Sequence, residues 1–196
     1  MDKYEIGSAV KFGGYGFLTL DKKDGAALII TEKITDQRPY HNAYVRITWA
    51  ECSLREYLNG EFYEKFCAAD KSRIITVTNK NLDNHWYGTN GGEDTEDKIF
   101  LLSLEETACK YFGDSSALLY NKGKNQRYWF QRKDVNNARR AIGWWWWLRT
   151  PGRDGVKAVY IWGDGVIGIQ GNNVLKGNIS DGRCVGGVRP AMWIEI

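Results

Sequence analysis

Along the chain, short apolar runs and helix-spaced apolar positions take turns, and neither dominates. Residues 15–20 and 26–31 are rich in β-branched, aromatic and aliphatic side chains and flank Asp21-Lys22-Lys23-Asp24-Gly25, whose glycine suits a hairpin loop. Thr48-Trp49-Ala50-Glu51 has the form of a capping box, in which the Thr hydroxyl and the Glu carboxylate satisfy free N–H groups at a helix start. Leu54, Leu58 and Phe62 then mark one face of a helix that ends near Asn59-Gly60. Ser103-Leu104-Glu105-Glu106 is a second capping box and predicts a helix running to about Phe112 and stopping at Gly113. Residues 73–78 and 99–102 read as short strands between the two helices.

The polar, Gly- and Asn-rich stretch 78–97 is as long as a structureless loop becomes inside a domain. Bound Ca²⁺ is one way to order it, since Asp, Glu, Asn and backbone oxygens are suitable ligands. The D-x-[DN]-x-[DN]-G spacing is missing, so the expectation is a self-packed Ω-loop anchored by Trp86 and Tyr87, with no metal.

The clearest pattern lies in residues 159–170. Val159, Ile161, Gly163, Gly165, Ile167 and Ile169 fall on one parity, and Tyr160, Trp162, Asp164, Val166, Gly168 and Gln170 on the other. A period of two predicts two strands, with Gly163-Asp164-Gly165 as their turn. The first set is aliphatic or glycine and is expected to face the core. The second is chemically mixed and is expected to face water or a partner. Eleven of the 22 glycines fall in the last 54 residues, which sets residues 143–196 apart from a scaffold of residues 1–142 within one domain.

Composition adds two facts. Nine Trp and eleven Tyr are far above ordinary usage, and they suit either a core built on large rings or a recognition surface. The charge is uneven: seven cations against Asp134 alone in residues 121–140, and seven carboxylates against Lys98 alone in residues 81–106. With a formal net charge of only +3, these read as solvated faces that offset one another, and no nucleic-acid partner is expected. No window approaches the ~20 apolar residues of a membrane span. The start, MDKYEIGSAVKFGG, has no charged segment followed by an apolar run. Synthesis in the cytoplasm without a signal peptide is therefore expected, with any display on a virion or cell surface using another route. Cys52, Cys67, Cys109 and Cys184 form no CxxC pair, so neither zinc nor a disulfide framework is expected.

The stretch WWLRTPG at residues 146–152, the Gly- and Asn-rich hairpin that follows and the closing GVRPAMW at 187–193, with TWAECSLREYLNGEF at 48–62 and DKIFLLSLEE at 97–106, resemble a widespread family of bacterial and viral domains of unassigned activity. Some members of that family look like the variable proteins of diversity-generating retroelements. The resemblance implies an α+β, C-type-lectin-like fold of the formylglycine-generating-enzyme-like branch, with short antiparallel strands and two main helices. It also implies fixed positions at Leu148, Arg149, Pro151, Gly152, Gly165, Gly171, Val174, Val188, Arg189 and Pro190. Variable, ligand-contacting positions would then fall on Tyr160, Trp162, Asp164, Val166, Gly168 and Gln170, on Arg153 and Asp154, and on Lys176, Asn178, Ser180, Asp181 and Arg183.

The function expected is that of a monomeric recognition module for a protein or glycan, without a cofactor. The alternative is a structural virion or envelope component without a diversified site. Catalysis is not expected. Formylglycine-generating enzymes rely on a reactive cysteine pair, whereas Cys184 is alone in the C-terminal region, and neither His41 nor His85 has a Ser or Cys neighbour in sequence. Arg149 and Arg189, in apolar settings beside Pro151 and Pro190, are expected to bond backbone carbonyls or a carboxylate as scaffold. The run of four Trp leads one of Trp144 and Trp145 to be expected on the outside.

Overall fold

The first strands form because their alternating side chains bury one face and their turns carry suitable residues. The computed structural model describes residues 3–112, 145–163, 165–175 and 186–196, together with the backbone of 127–128. β1 (Ala9–Phe12), β2 (Tyr15–Lys23) and β3 (Ala26–Thr31) make an antiparallel meander. The β2–β3 turn is tighter than the five-residue loop read from the sequence. It is Asp24-Gly25 alone, both with positive φ (50° and 75°), the backbone of a two-residue turn that suits strand twist. The last strand, β13 (Ala191–Glu195), pairs antiparallel with β3 and with β5 (Ile74–Ile75), giving the order β1-β2-β3-β13-β5. The chain thus closes on itself, and its C-terminal segment is interleaved with its N-terminal one.

A second sheet of six strands has the order β4-β12-β9-β10-β11-β8. Its members are β4 (Asp36–Gln37), β8 (Arg127–Tyr128), β9 (Trp146–Pro151), β10 (Lys157–Ile161), β11 (Ile167–Asn173) and β12 (Gly187–Val188). All pairings are antiparallel except β12 with β9, which is parallel. The strands expected in residues 159–170 are therefore present. β6 (Val77–Asn79) and β7 (Thr95–Asp97) form a separate ribbon, and residues 80–94 span its tip. Asn84 anchors that loop by donating to the carbonyls of Pro151 at 2.7 Å and Ile169 at 3.1 Å, and Trp86 is buried beside it.

Helix is scarce. α1 (Ser53–Tyr57) continues without a break into a π-helical turn, Leu58–Phe62, so Asn59-Gly60 does not end it. Asn59 stays inside because its amide donates to Ile99 O at 2.9 Å and its carbonyl accepts the Lys98 N–H at 2.8 Å. The first capping box is not formed: Thr48 makes no side-chain cap, residues Trp49–Glu51 are a 3₁₀ turn, and Cys52 Sγ accepts the Arg55 N–H instead. The second box is formed in full. Ser103 Oγ accepts the Glu106 N–H at 3.1 Å, and Glu106 Oε2 accepts the Ser103 N–H at 2.8 Å. It heads the π-helical segment Glu106–Tyr111. A four-residue helix, α2 (Ala68–Lys71), completes the set. Residues 99–102 are buried and joined to β13 by the isolated Phe100–Ala191 bridge.

Arg149 and Arg189 serve the scaffold, as expected of cations in apolar settings. Arg149, 3% exposed, donates to Leu101 O at 2.8 Å and Lys80 O at 3.3 Å and grips Glu106 with both terminal nitrogens, at 2.5 and 3.0 Å. Arg189 is fully buried, donates from Nε to Thr31 O at 2.7 Å, and lies 5.0 Å from the Trp146 ring. Burial pushes its pKa down to about 9, against a small opposing pull from Glu32. Trp145, Trp146 and Trp147 are all fully buried; Trp144, the other residue of the pair of which one was expected outside, lies outside the described residues.

Burial alone would raise the Glu106 carboxyl, but the Arg149 guanidinium and the Ser103 N–H outweigh it and hold it below the ordinary range. A depressed carboxyl contributes stability that is complete above its unfolded value and is lost as pH falls through the folded one. We expect the denaturant midpoint to fall on acidification below about pH 4. Glu106→Gln should cost ~3–5 kcal/mol at pH 7 by leaving Arg149 buried without its carboxylate and should flatten part of that acid limb. An unchanged acid limb in the variant contradicts the assignment.

Candidate functional site

The β10–β11 hairpin is closed by Trp162 N–H to Val166 O and Gly165 N–H to Trp162 O, each at 2.8 Å. Tyr160 stands opposite Gly168, and its ring lies flat across that residue: a Cβ on Gly168 would sit 2.2 Å from the ring. The ring meets Trp145 edge-on at 5.4 Å and Trp162 at 5.5 Å, and Trp145 meets Trp147 at 4.5 Å. The inward parity is core as expected, with Val159, Ile161, Ile167 and Ile169 all buried. The outward parity is a correction. Tyr160 is 2% exposed and Val166 3%, Gly168 is buried, and Trp162 and Gln170 are half-buried. The physical reason is that the rings of Trp145, Trp147, Tyr160 and Trp162 pack edge to face against one another and make that face a second core layer. The paired signal was in the sequence, since large rings on β9 and β10 faced a glycine on β11. Asp164, Lys176, Asn178, Ser180, Asp181 and Arg183 lie outside the described residues.

The other two expected site residues are at the surface. Arg153 is exposed and Asp154 half-buried, in the connection between β9 and β10. Arg153 N–H donates to Gln170 O at 2.9 Å, which fixes the backbone while the side chain reaches outward. Burial raises the Asp154 carboxyl less than Lys157, at 2.7 Å, the Val156 N–H and Arg153 lower it, and it stays ionised. Residues 41–47 run alongside. His41 N–H donates to Val174 O at 3.0 Å and Ile47 N–H to Gly155 O at 2.9 Å, and the stem of Arg46 lies against Gly155. Between these clamps Tyr44 is 57% and Val45 47% exposed. Tyr44, Val45, Arg46, Arg153 and Asp154 therefore share one rim at the end of the six-stranded sheet, and no periodicity or motif in residues 41–47 marks them as part of it.

The start of the same loop borders a cleft of about 350 Å³ whose lining includes Arg38, Asn42, Ser53, Glu56, Tyr57 and Glu61. The Arg38 guanidinium lies 3.6 Å over the Tyr57 ring and is held by Asp36 at 2.7 Å and Glu61 at 3.4 Å. Burial raises the Asp36 carboxyl, but Arg38, the Gln37 N–H and Tyr57 bring it below the ordinary range. At the cleft wall Ser53 Oγ is 2.9 Å from His41 Nδ1. His41 thus has a serine neighbour after all, twelve residues away in sequence and brought close by the turn into α1. Cys52, beside it, is not a competing nucleophile, because burial pushes its thiol up to about 12. Among the described residues no three His, Cys, Asp or Glu side chains converge on a metal position.

Residues 24–196 match the model of a family described as a domain of unknown function, DUF6273. The chain belongs to this family. The DUF6273 match begins at the β2–β3 turn, so β1 and the whole of β2 precede it, while the rim and the cleft fall within it. No curated protein and no solved structure matches the chain. No described helix of this DUF6273 domain is long and apolar enough to cross a membrane.

The two surfaces differ in what truncation should cost. Tyr160→Ala removes a ring from a filled layer and is expected to destabilise by ~3–5 kcal/mol. Tyr44→Ala should stay within about 0.5 kcal/mol of wild type. Denaturant midpoints of the two variants check this, and a silent Tyr160→Ala contradicts the buried placement.

Proposed function

We propose that this DUF6273 domain is a recognition module in which a C-type-lectin-like scaffold holds ligand-contacting side chains on the rim of residues 41–47 and 152–156. The observation that carries the reading is that Tyr44 and Val45 stand exposed, at 57% and 47%, on a loop clamped to the sheet by backbone hydrogen bonds on both sides. An aromatic side chain presented on a fixed backbone loses little entropy on binding, which is how rigid paratopes gain affinity. Arg46 and Arg153 stand beside the apolar pair with exposed side chains, able to donate to carboxylates or hydroxyls.

The lectin-like part of the reading rests on the resemblance at residues 146–152 and 187–193, and the pairing of the last strand, β13, with β3 of the N-terminal meander accords with it. A likeness to retroelement variable proteins would put varied side chains at Arg153 and Asp154 rather than at Tyr160, where replacement disturbs packing. The ligand is expected to be a protein or a glycan.

A panel of immobilised cell-surface proteins and glycans, probed with wild type and with a Tyr44→Ala/Arg153→Ala variant, tests the reading. We expect any wild-type ligand to bind the variant at least ~10-fold more weakly, as for loss of an aromatic or Arg anchor, with an unchanged melting midpoint. Equal binding by both proteins, or no ligand in the panel for wild type, counts against the rim.

A further inference from the structure

The hydrogen bonds around His41 select one tautomer of its ring. The Ser53 backbone N–H donates to His41 Nδ1 at 3.2 Å. A nitrogen that accepts an N–H carries its lone pair there, so the ring proton is on Nε2. The Ser53 hydroxyl, 2.9 Å from the same Nδ1, therefore donates to it. Its oxygen in turn accepts the Asn42 N–H at 3.3 Å. A hydroxyl whose proton points at an unprotonated imidazole has a base in reach to take that proton as the oxygen attacks. Ser53 also lines the cleft of about 350 Å³, large enough for a small molecule.

We propose that Ser53 is an acyl-accepting nucleophile with His41 as its base, and that the cleft takes small esters. Ser53 Oγ bonds to the ester carbonyl carbon, the bond from that carbon to the alkoxide breaks, and the serine proton passes to His41 Nδ1 and then to the departing alkoxide. Water then attacks the acyl carbon and gives a proton to Nδ1. The acid leaves, and that proton returns to Ser53 Oγ. The lining sets the preference among esters. Glu56 and Glu61 put carboxylates at the cleft, while the Arg38 cation is already committed to Asp36 and Glu61, so neutral or cationic esters are favoured over those bearing a carboxylate. This activity is independent of ligand binding at the rim.

The test uses the whole chain with an alkyl fluorophosphonate and with p-nitrophenyl acetate. We expect the phosphonate to label Ser53, located by peptide mass, and the ester to give a burst of p-nitrophenolate. Ser53→Ala keeps the backbone N–H to His41, should fold normally, and should lose both signals. His41→Gln should slow labelling by about 10²-fold or more. Because His41→Gln also removes the acceptor at the helix start, Ser53→Cys supplies a second arm: iodoacetamide should alkylate the new thiol faster than the exposed Cys67. A label on another residue, a wild-type rate no faster than that of Ser53→Ala, or a residue-53 thiol no faster than Cys67 overturns the proposal.

Discussion

A guanidinium buried in the middle of the molecule sets where everything else can stand. Arg149 sits on β9, the strand between β12 and β10 in the six-stranded sheet. Its side chain reaches Glu106 in the helical segment, Leu101 in the extended stretch 99–102 and Lys80 at the base of the 80–94 loop. The stretch 99–102 is itself bridged to β13 of the other sheet through Phe100 and Ala191. Burying a charge is costly unless it is paired, and the bonds from the two terminal nitrogens, with Nε left without a partner among the described residues, hold these segments to one mutual placement. Arg189 repeats the theme at a second seam, where its Nε bonds Thr31 O at the end of β3 and its plane lies near Trp146.

The surface inherits its geometry from that centre. Tyr40, fully inside and against Trp147, donates its hydroxyl to Arg149 O at 2.8 Å. The chain then emerges at His41, whose N–H is tied to Val174, and runs out along the rim to the clamp at Ile47. The cleft begins at the same exit, where the turn into α1 brings Ser53 to His41. Asp97 steadies the far side of α1: buried, it accepts from Trp49 at 3.0 Å, Arg55 at 2.6 Å, Asn79 at 2.9 Å and Thr95 at 2.7 Å. Rim and cleft are thus exposed groups on a backbone whose freedom has been removed from within.

Local signals were legible in the sequence wherever the structure depends on local rules. The β2–β3 hairpin, the Ser103–Glu106 capping box, the two strands of residues 159–170 and the structural use of Arg149 and Arg189 all follow from spacing, turn chemistry and the cost of burying charge. The outer face of β10 was misread because alternation reports only which residues share a face, and a strand covered on both sides alternates just as well. Whether Tyr160 meets water depends on Trp145 and on Gly168 across the hairpin. The Thr48 box was misread because Cys52 took the capping role four residues later. His41 and Ser53 were missed because their meeting depends on the exit from Tyr40 and the turn into α1, which leave no periodic trace.

The aromatic side chains of the β10–β11 face are core, whereas Tyr44 on the rim is open to solvent. Tetranitromethane nitration of the native protein, read residue by residue by mass spectrometry, tests it most directly. Tyr44 is expected to be nitrated under native conditions and Tyr160 to stay untouched until the protein is unfolded. Nitration of Tyr160 in the native state as fast as Tyr44 would contradict it.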